Sequence, residues 1–101
     1  MATRAPVNIG RLITCTPGVV GGEPCLARTR IPVKKIAVLH NEGMVPEEIL
    51  AHWPELDLAR IHAALAYYYA NKQMIDDALE SDRRLYEELA ARYPRRDPPR
   101  P

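Results

Sequence analysis

The sequence lacks any long apolar run. Its 101 residues contain no stretch approaching the roughly 20 apolar residues that a membrane-spanning helix requires. The first 25 residues also lack a positively charged start followed by an apolar segment, which is the pattern of a secretory signal peptide. We therefore expect a cytoplasmic protein that is neither secreted nor bound to a membrane.

Cysteine is scarce, because only Cys15 and Cys25 are present. They do not form the close-spaced pairs that build zinc sites. If residues 12–27 form a hairpin centred near Val20, the two thiols lie opposite each other across it. We expect both to be reduced in the cytoplasm.

The usual signatures of catalysis and of metal binding are missing as well. His40, His52 and His62 have no Glu or Cys at a spacing typical of a metal site. No Ser or Cys has an evident base, and no Gly-rich phosphate loop joins a strand to a helix. The pattern indicates a protein that works by binding partners, with no enzymatic activity and no cofactor.

Proline is abundant, with 10 residues in a chain that can bury one modest core. The prolines separate short periodic segments, so we expect short elements with firm ends. The predicted organisation is a flexible N-terminus (1–10), a folded domain (11–72), a C-terminal partner-binding helix (73–93) and a basic, proline-rich tail (94–101).

The folded domain begins with a predicted β-hairpin and continues with three helices. RLITC and CLARTRIPV are β-compatible and flank the Gly- and Pro-rich TPGVVGGEP. Pro32 opens helix one and Gly43 follows its end, Pro46 opens helix two, and Asp57 caps helix three. The predicted fold is mainly α, with an N-terminal β-hairpin, a three-helix helix-turn-helix core and a long C-terminal helix.

Two helices carry apolar positions with further implications. In helix three, Leu58, Ile61, Leu65 and Tyr68 follow helical spacing, and at least one residue of the Tyr67–Tyr69 run must remain available for contact. The C-terminal helix has an apolar stripe at Ile75, Leu79, Tyr86, Leu89 and Tyr93. It reaches about 30 Å, beyond a small three-helix core, so we expect another chain to cover part of this stripe.

The net charge of +1 conceals a segregation of charge along the chain. Residues 1–35 carry six basic residues against one acidic residue, residues 36–93 are net acidic, and the tail is basic again. The candidate DNA contacts are Arg28, Arg30, Lys34, Lys35, Arg60 and His62. The alternative is an ordinary solvated basic face.

The segments GGEPCLARTRIPV and NEGMVPEEILAHWPELDLARIHAALAYYYAN resemble the domain-of-unknown-function 433 family over about residues 11–72. This resemblance implies a homeodomain-like helical fold behind a β-hairpin, and a VapB-type antitoxin paired with a PIN-like ribonuclease toxin. The family commonly has Arg-Gly where this chain has Ala27 and Arg28. If that position needs a positive φ, Arg28 is strained there.

The resulting hypothesis is a type II antitoxin that binds its toxin through the C-terminal helix. The predicted toxin-binding residues are Ile75, Leu79, Arg83, Arg84, Tyr86, Leu89 and Tyr93, with Arg83 or Arg84 approaching the carboxylates that hold Mg²⁺ in a PIN-type site. We expect a homodimer or a larger hetero-oligomer with the toxin, and operator DNA as a second partner. The alternatives are a stand-alone DNA-binding regulator and a structural adaptor that does not bind nucleic acid.

Overall fold

A computed structural model describes residues 6–93, which form four α-helices behind a small antiparallel β-hairpin. The elements are β1 (Ile13–Thr14), β2 (Cys25–Leu26), α1 (Val33–Asn41), α2 (Pro46–His52), α3 (Leu58–Ala70) and α4 (Lys72–Arg92). The prediction of a mainly helical chain with an N-terminal hairpin and a long C-terminal helix is confirmed. The predicted basic tail, residues 94–101, lies outside the described residues, as do residues 1–5.

The hairpin pairs Ile13 with Leu26 and Thr14 with Cys25. Its pairing is therefore centred between residues 19 and 20, not on Val20, and the expectation that the two cysteines face each other is wrong by one residue. Cys15 is exposed and Cys25 is buried, and both are free thiols. Burial raises the pKa of the Cys25 thiol.

A short 3-10 helix, Ile9–Arg11, precedes the hairpin. The Asn8 side chain accepts a hydrogen bond of 2.9 Å from the backbone N–H of Gly10, which caps this turn. Ile9 and Gly10 of the predicted flexible N-terminus therefore belong to a short capped turn.

The helices begin and end at the residues whose chemistry favours those positions. Pro46 occupies the first turn of α2, and the Glu48 carboxylate accepts a 3.0 Å hydrogen bond from the backbone N–H of Val45. Asp57 accepts from the backbone N–H of Arg60 at 2.9 Å and so caps α3, as predicted. Gly43 has a φ of 96°, which supplies the left-handed residue expected after α1.

The core lies between the hairpin and the four helices. Its fully buried side chains come from β2 and α1–α3: Leu26, Val33, Ile36, Ile49, Ile61 and Tyr68. Ile75 adds the start of α4 to the same core. Leu58 has the same helical spacing as the buried residues of α3, but it is 37% exposed.

A polar cluster around Tyr68 joins three helices. The Tyr68 hydroxyl donates to Asp76 of α4 at 2.7 Å and accepts from the Asn41 side-chain amide of α1 at 3.1 Å. Lys72 also donates to Asp76, at 2.7 Å. The hydrogen bonds from Lys72 and Tyr68 lower the pKa of Asp76. This cluster fixes the direction in which α4 leaves the core.

None of the helices within residues 6–93 combines the length and the apolar character needed to cross a lipid bilayer.

Candidate functional site

The apolar stripe of α4 starts inside the core and ends in solvent. Ile75 is 5% exposed and Leu79 packs against the core, whereas Tyr86 is 69% exposed and Leu89 is 45% exposed. Tyr93, just beyond the helix, is 72% exposed. We call residues 83–93 the outer segment. Its apolar side chains have no covering element among the described residues, which agrees with the expectation that the stripe extends beyond the core.

Leu85 widens the apolar surface of the outer segment and was missed in the sequence. It is 55% exposed and lies four residues before Leu89, so the two side chains are neighbours on the helix. The predicted stripe was defined by the helical spacing of Ile75, Leu79, Tyr86 and Leu89. Leu85 lies next to this stripe on the helix surface and was therefore left out. The sequence feature that could have revealed it is the adjacency of two apolar residues, because Leu85 directly precedes Tyr86.

One ion pair connects α4 to the rest of the protein at the point where packing ends. Lys34 of α1 lies 2.7 Å from Asp82 and 2.8 Å from Glu23. Partial burial alone would lower the pKa of Lys34, but its hydrogen bonds to Asp82 and Glu23 outweigh burial and raise it. Lys34 was predicted as a DNA contact; its ammonium group is instead engaged with two carboxylates.

An open groove of about 620 Å³ runs between α1 and α4. Val38 on one side and Leu79 and Tyr86 on the other give it an apolar lining. Lys35 and Arg83 also line it. The groove continues the exposed stripe back toward the core, so a partner helix or strand would contact both surfaces together.

The two arginines proposed to reach a toxin site differ in their partners. Arg83 contacts Glu80 and Glu87 at 2.6 Å each, and Glu80 is the larger cause of its raised pKa. Arg84 has a single contact among the described residues, with Glu80 at 3.2 Å, and its side chain is 75% exposed. Exposed pairs of this kind contribute little to stability, so Arg84 is the guanidinium that exchanges partners more readily.

The predicted DNA contacts do not form one surface. Arg28 and Arg30 line a common cleft, whereas Lys34 and Lys35 line the groove beside α4. His62 is exposed on α3. The four basic residues were grouped because they lie close together in the chain. The two lysines lie in the first turn of α1, after Pro32, and line a different groove from the two arginines.

Arg60 was predicted as a nucleic-acid contact, but its side chain is buried. It is 8% exposed. Its guanidinium donates to the carbonyl oxygens of Ala27 at 2.9 Å and Glu55 at 3.1 Å, and its Nε donates to Asp57 at 3.3 Å. Arg60 thus joins α3 to the loop after β2. The backbone N–H of Arg60 is the main cause of the lowered pKa of Asp57.

The cleft that Arg28 and Arg30 line was not foreseen. It has a volume of about 660 Å³, and Trp53 at the end of α2 forms part of its wall. Arg28 has a φ of 59°, so the strain expected from its replacement of the family's glycine is present. Within residues 6–93, no carboxylate lies at salt-bridge distance from either arginine, although Glu55 lines the cleft.

The protein is small and mainly helical, with a hairpin of two short strands ahead of four helices. The part of the chain that the structure describes contains no cluster of His, Cys, Asp and Glu that could hold a metal ion. Residues 13–68 match the family model described as Protein of unknown function (DUF433). This match covers more than half of the chain, and the chain belongs to that family.

Two individual proteins are similar to this chain. A DUF433 member protein from Anabaena variabilis ATCC 29413, whose crystal structure is known, has 36% sequence identity and a TM-score of 0.64, with 69% of each chain covered. The uncharacterized protein y4eO of Sinorhizobium fredii is 37% identical over 60 residues, which is 59% of this chain. The chain spans only 27% of the length of that relative.

Proposed function

We propose that this protein is a VapB-type antitoxin that neutralises a PIN-like ribonuclease by burying the outer segment against it. The observation that carries the proposal is the exposure of Leu85, Tyr86 and Leu89 on α4, and of Tyr93 just after it, when the base of this helix is anchored in the core. Large aromatic and aliphatic side chains on a rigid helix are typical anchors of protein interfaces.

The anchoring of α4 supports this function because it prepares the helix for binding. Ile75 packs in the core, Tyr68 holds Asp76, and Lys34 holds Asp82. A helix that is already formed and oriented loses less conformational entropy on association than a disordered segment does. The exposed apolar residues are therefore available without a folding step in the antitoxin.

Arg84 is the residue that we propose to act at the nuclease site. A PIN-type site holds Mg²⁺ with several carboxylates and attracts a guanidinium, which binds carboxylates in a bidentate manner. Arg84 is more exposed than Arg83 and has fewer partners. In the bound state it exchanges its contact with Glu80 for the acidic groups of the nuclease.

The test is inhibition of a PIN-type ribonuclease whose gene adjoins the gene for this chain, and the absence of such a gene would count against the proposal. The variant Tyr86→Ser/Leu89→Ser should inhibit about thirtyfold less well or worse, because losing one interface hot spot costs about 2 kcal/mol. The matched control is Val7→Ser/Ile9→Ser, which changes two residues that are 72% and 71% exposed but lie far from α4 in the chain. Equal inhibition by all three proteins would refute the proposal.

A deletion gives an independent check if it keeps the core intact. Truncation after Asn71 would remove Ile75 from the core, so its effect on inhibition would be ambiguous. Truncation after Asp82 retains Ile75, Leu79 and the ion pair with Lys34. We expect this shortened chain to remain folded and to lose inhibition of the nuclease. If α4 instead mediates self-association, the molecular mass of the full chain in solution would rise with concentration, and the truncation would abolish that rise.

The second candidate function is operator binding, favoured by the exposed Arg28 and Arg30. Here α2 and α3 act as a helix-turn-helix pair, with His62 on the exposed face of α3. Few side chains on that face can reach base edges, so phosphate contacts from Arg28 and Arg30 would dominate and affinity would fall as the salt concentration rises. A gel shift across salt concentrations tests this; binding by the free chain that is independent of salt would exclude it.

A further inference from the structure

The cleft beside Arg28 has the dimensions of a small-molecule site. Its volume of about 660 Å³ lies within the range of roughly 300–1,000 Å³ that ligand pockets occupy. The residues around it come from the hairpin, the loop after β2 and the end of α2: Thr14, Thr16, Val19, Cys25, Arg28, Thr29, Arg30, Ile31, Trp53 and Glu55. None of them belongs to α4.

The charged groups of the cleft suit a phosphate. Arg28 and Arg30 are both exposed, and neither lies within salt-bridge distance of a carboxylate among residues 6–93, although the charge of Arg28 contributes to the lowered pKa of Asp57. Glu55 is the one acidic residue of the lining, so the lining carries a net positive charge. A guanidinium offers two parallel N–H donors that match the geometry of phosphate oxygens.

The backbone of Arg28 is held in a strained conformation by its neighbours. Thr29 donates from its hydroxyl to the Leu26 carbonyl at 2.8 Å and accepts from the Ile31 N–H at 3.0 Å. Arg60 holds the Ala27 carbonyl from the other side. A glycine would adopt the φ of 59° without penalty. A large side chain kept at such a position points to a function for that side chain.

The remaining wall of the cleft is apolar and includes an aromatic ring. Trp53 is half-buried, and Val19 and Ile31 line the cleft with it. Tryptophan rings bind nucleic-acid bases by stacking, which requires that the base is not already stacked in a duplex. Cationic groups and an aromatic wall in one cleft match the two chemically different ends of a nucleotide.

We propose that this cleft binds one nucleotide with an unpaired base, its phosphate on Arg28 and Arg30 and its base against Trp53. A free mononucleotide and a nucleotide within a single strand present the same chemistry. A duplex does not, because its bases remain stacked. The site is independent of the proposed antitoxin function, since the cleft and the outer segment lie on different elements.

Trp53 is the single tryptophan of the chain, so its fluorescence reports on this cleft alone. The full-length protein is titrated with the four ribonucleoside monophosphates, with a single-stranded oligonucleotide of mixed sequence and with the corresponding duplex. We expect a saturable change with the monophosphates, the single strand or both, and the stronger ligand identifies the source. Arg28→Gly should weaken it roughly tenfold, as loss of a charge-assisted hydrogen bond does. Arg92→Gln, which removes a positive charge outside the cleft, should not.

The same variant separates binding from stability. Arg28→Gly relieves the strain at a φ of 59°, so its thermal midpoint should rise while its nucleotide affinity falls. Truncation after Asp82 should leave the fluorescence response unchanged, which distinguishes this site from the toxin surface. The proposal is overturned if only the duplex gives a response, if no ligand does, or if Arg28→Gly binds as well as the natural chain.

Discussion

The body of the protein, residues 9–82, and the outer segment of α4 bury their apolar residues very differently. In the body, Leu26, Ile36, Ile49 and Ile61 are each 0% exposed. In the outer segment, the least exposed large apolar side chain is Leu89, at 45%. One continuous helix, α4, passes from one region into the other: Ile75 near its start is packed in the core and 5% exposed, whereas no element among the described residues covers its outer part.

The outer segment remains helical by local interactions alone. Arg83 pairs with Glu80 and Glu87, and Arg92 pairs with Glu88, at the three- and four-residue spacings that stabilise an isolated helix. Each pair contributes only a few tenths of a kcal/mol. A helix supported in this way is formed but weakly stabilised, which suits a segment that another protein covers.

The family match lies within the body and stops short of α4. It extends over residues 13–68 and ends at the buried Tyr68, before α4 begins. The matched region is therefore the part of the body that precedes α4, and both the inner and the outer parts of α4 lie outside the match. The two regions therefore differ in what they expose: the body buries its apolar core, whereas the outer segment presents an apolar surface.

The largest expected effect is the loss of stability when an apolar side chain of the body is shortened. The same kind of change in the outer segment is the comparison. Ile36→Ala should lower the free energy of unfolding by about 2–5 kcal/mol, because it leaves a cavity in the core. Leu85→Ala in the outer segment should change it by less than about 0.5 kcal/mol. Denaturant unfolding measures both, and comparable losses would show that the outer segment is packed after all.

The next effect concerns the buried guanidinium that holds the body together. Arg60→Met keeps the length of the side chain but leaves the carbonyl oxygens of Ala27 and Glu55 without this donor. We expect a loss of about 2–3 kcal/mol in the free energy of unfolding, as for buried polar groups left unpaired. Arg11→Met, at an exposed position, is the control and should have almost no effect.

A smaller effect should appear at the junction between the two regions. Tyr68→Phe removes the hydroxyl that contacts Asp76 and Asn41, at a cost of about 1–1.5 kcal/mol. Amide hydrogen exchange at the start of α4 should become faster. Tyr69→Phe is the matched control, because that hydroxyl is exposed and contacts only His40 among the described residues. Equal exchange in the two variants would mean that Tyr68 does not fix α4.

The smallest effect is a change in acid sensitivity within the body. The hydrogen bond from the backbone N–H of Arg60 lowers the pKa of Asp57, so its contribution to stability is present above the unfolded-state value of about 3.9 and is lost as pH falls through the lower folded value. Asp57→Asn keeps a good helix cap without the titrating group. Its unfolding free energy should vary less with pH below about 4 than that of the natural chain.

The sequence predicted the elements well because their ends depend on local chemistry. Pro46, Asp57 and Gly43 act within one or two turns of their own positions, and each has the predicted role. The apolar stripe of α4 was also readable from its spacing. These signals do not depend on how the chain folds back on itself.

The parts that the sequence missed depend on contacts between distant residues. Arg60 bonds to Ala27, and Lys34 bonds to Asp82, across separations of 33 and 48 residues. Both were interpreted as nucleic-acid contacts because only their charge was visible. The cleft at Trp53 likewise requires α2 and the loop after β2 to meet, which no local pattern indicates.

The central claim is that the outer segment is uncovered in the free protein and is covered by the proposed nuclease partner. Amide hydrogen exchange of residues 83–93, measured with and without the PIN-type ribonuclease, tests it most directly. We predict fast exchange in the free chain, much faster than in α3, and strong protection in the complex. Protection of these amides in the free chain, or unchanged exchange when the nuclease is added, would contradict the account.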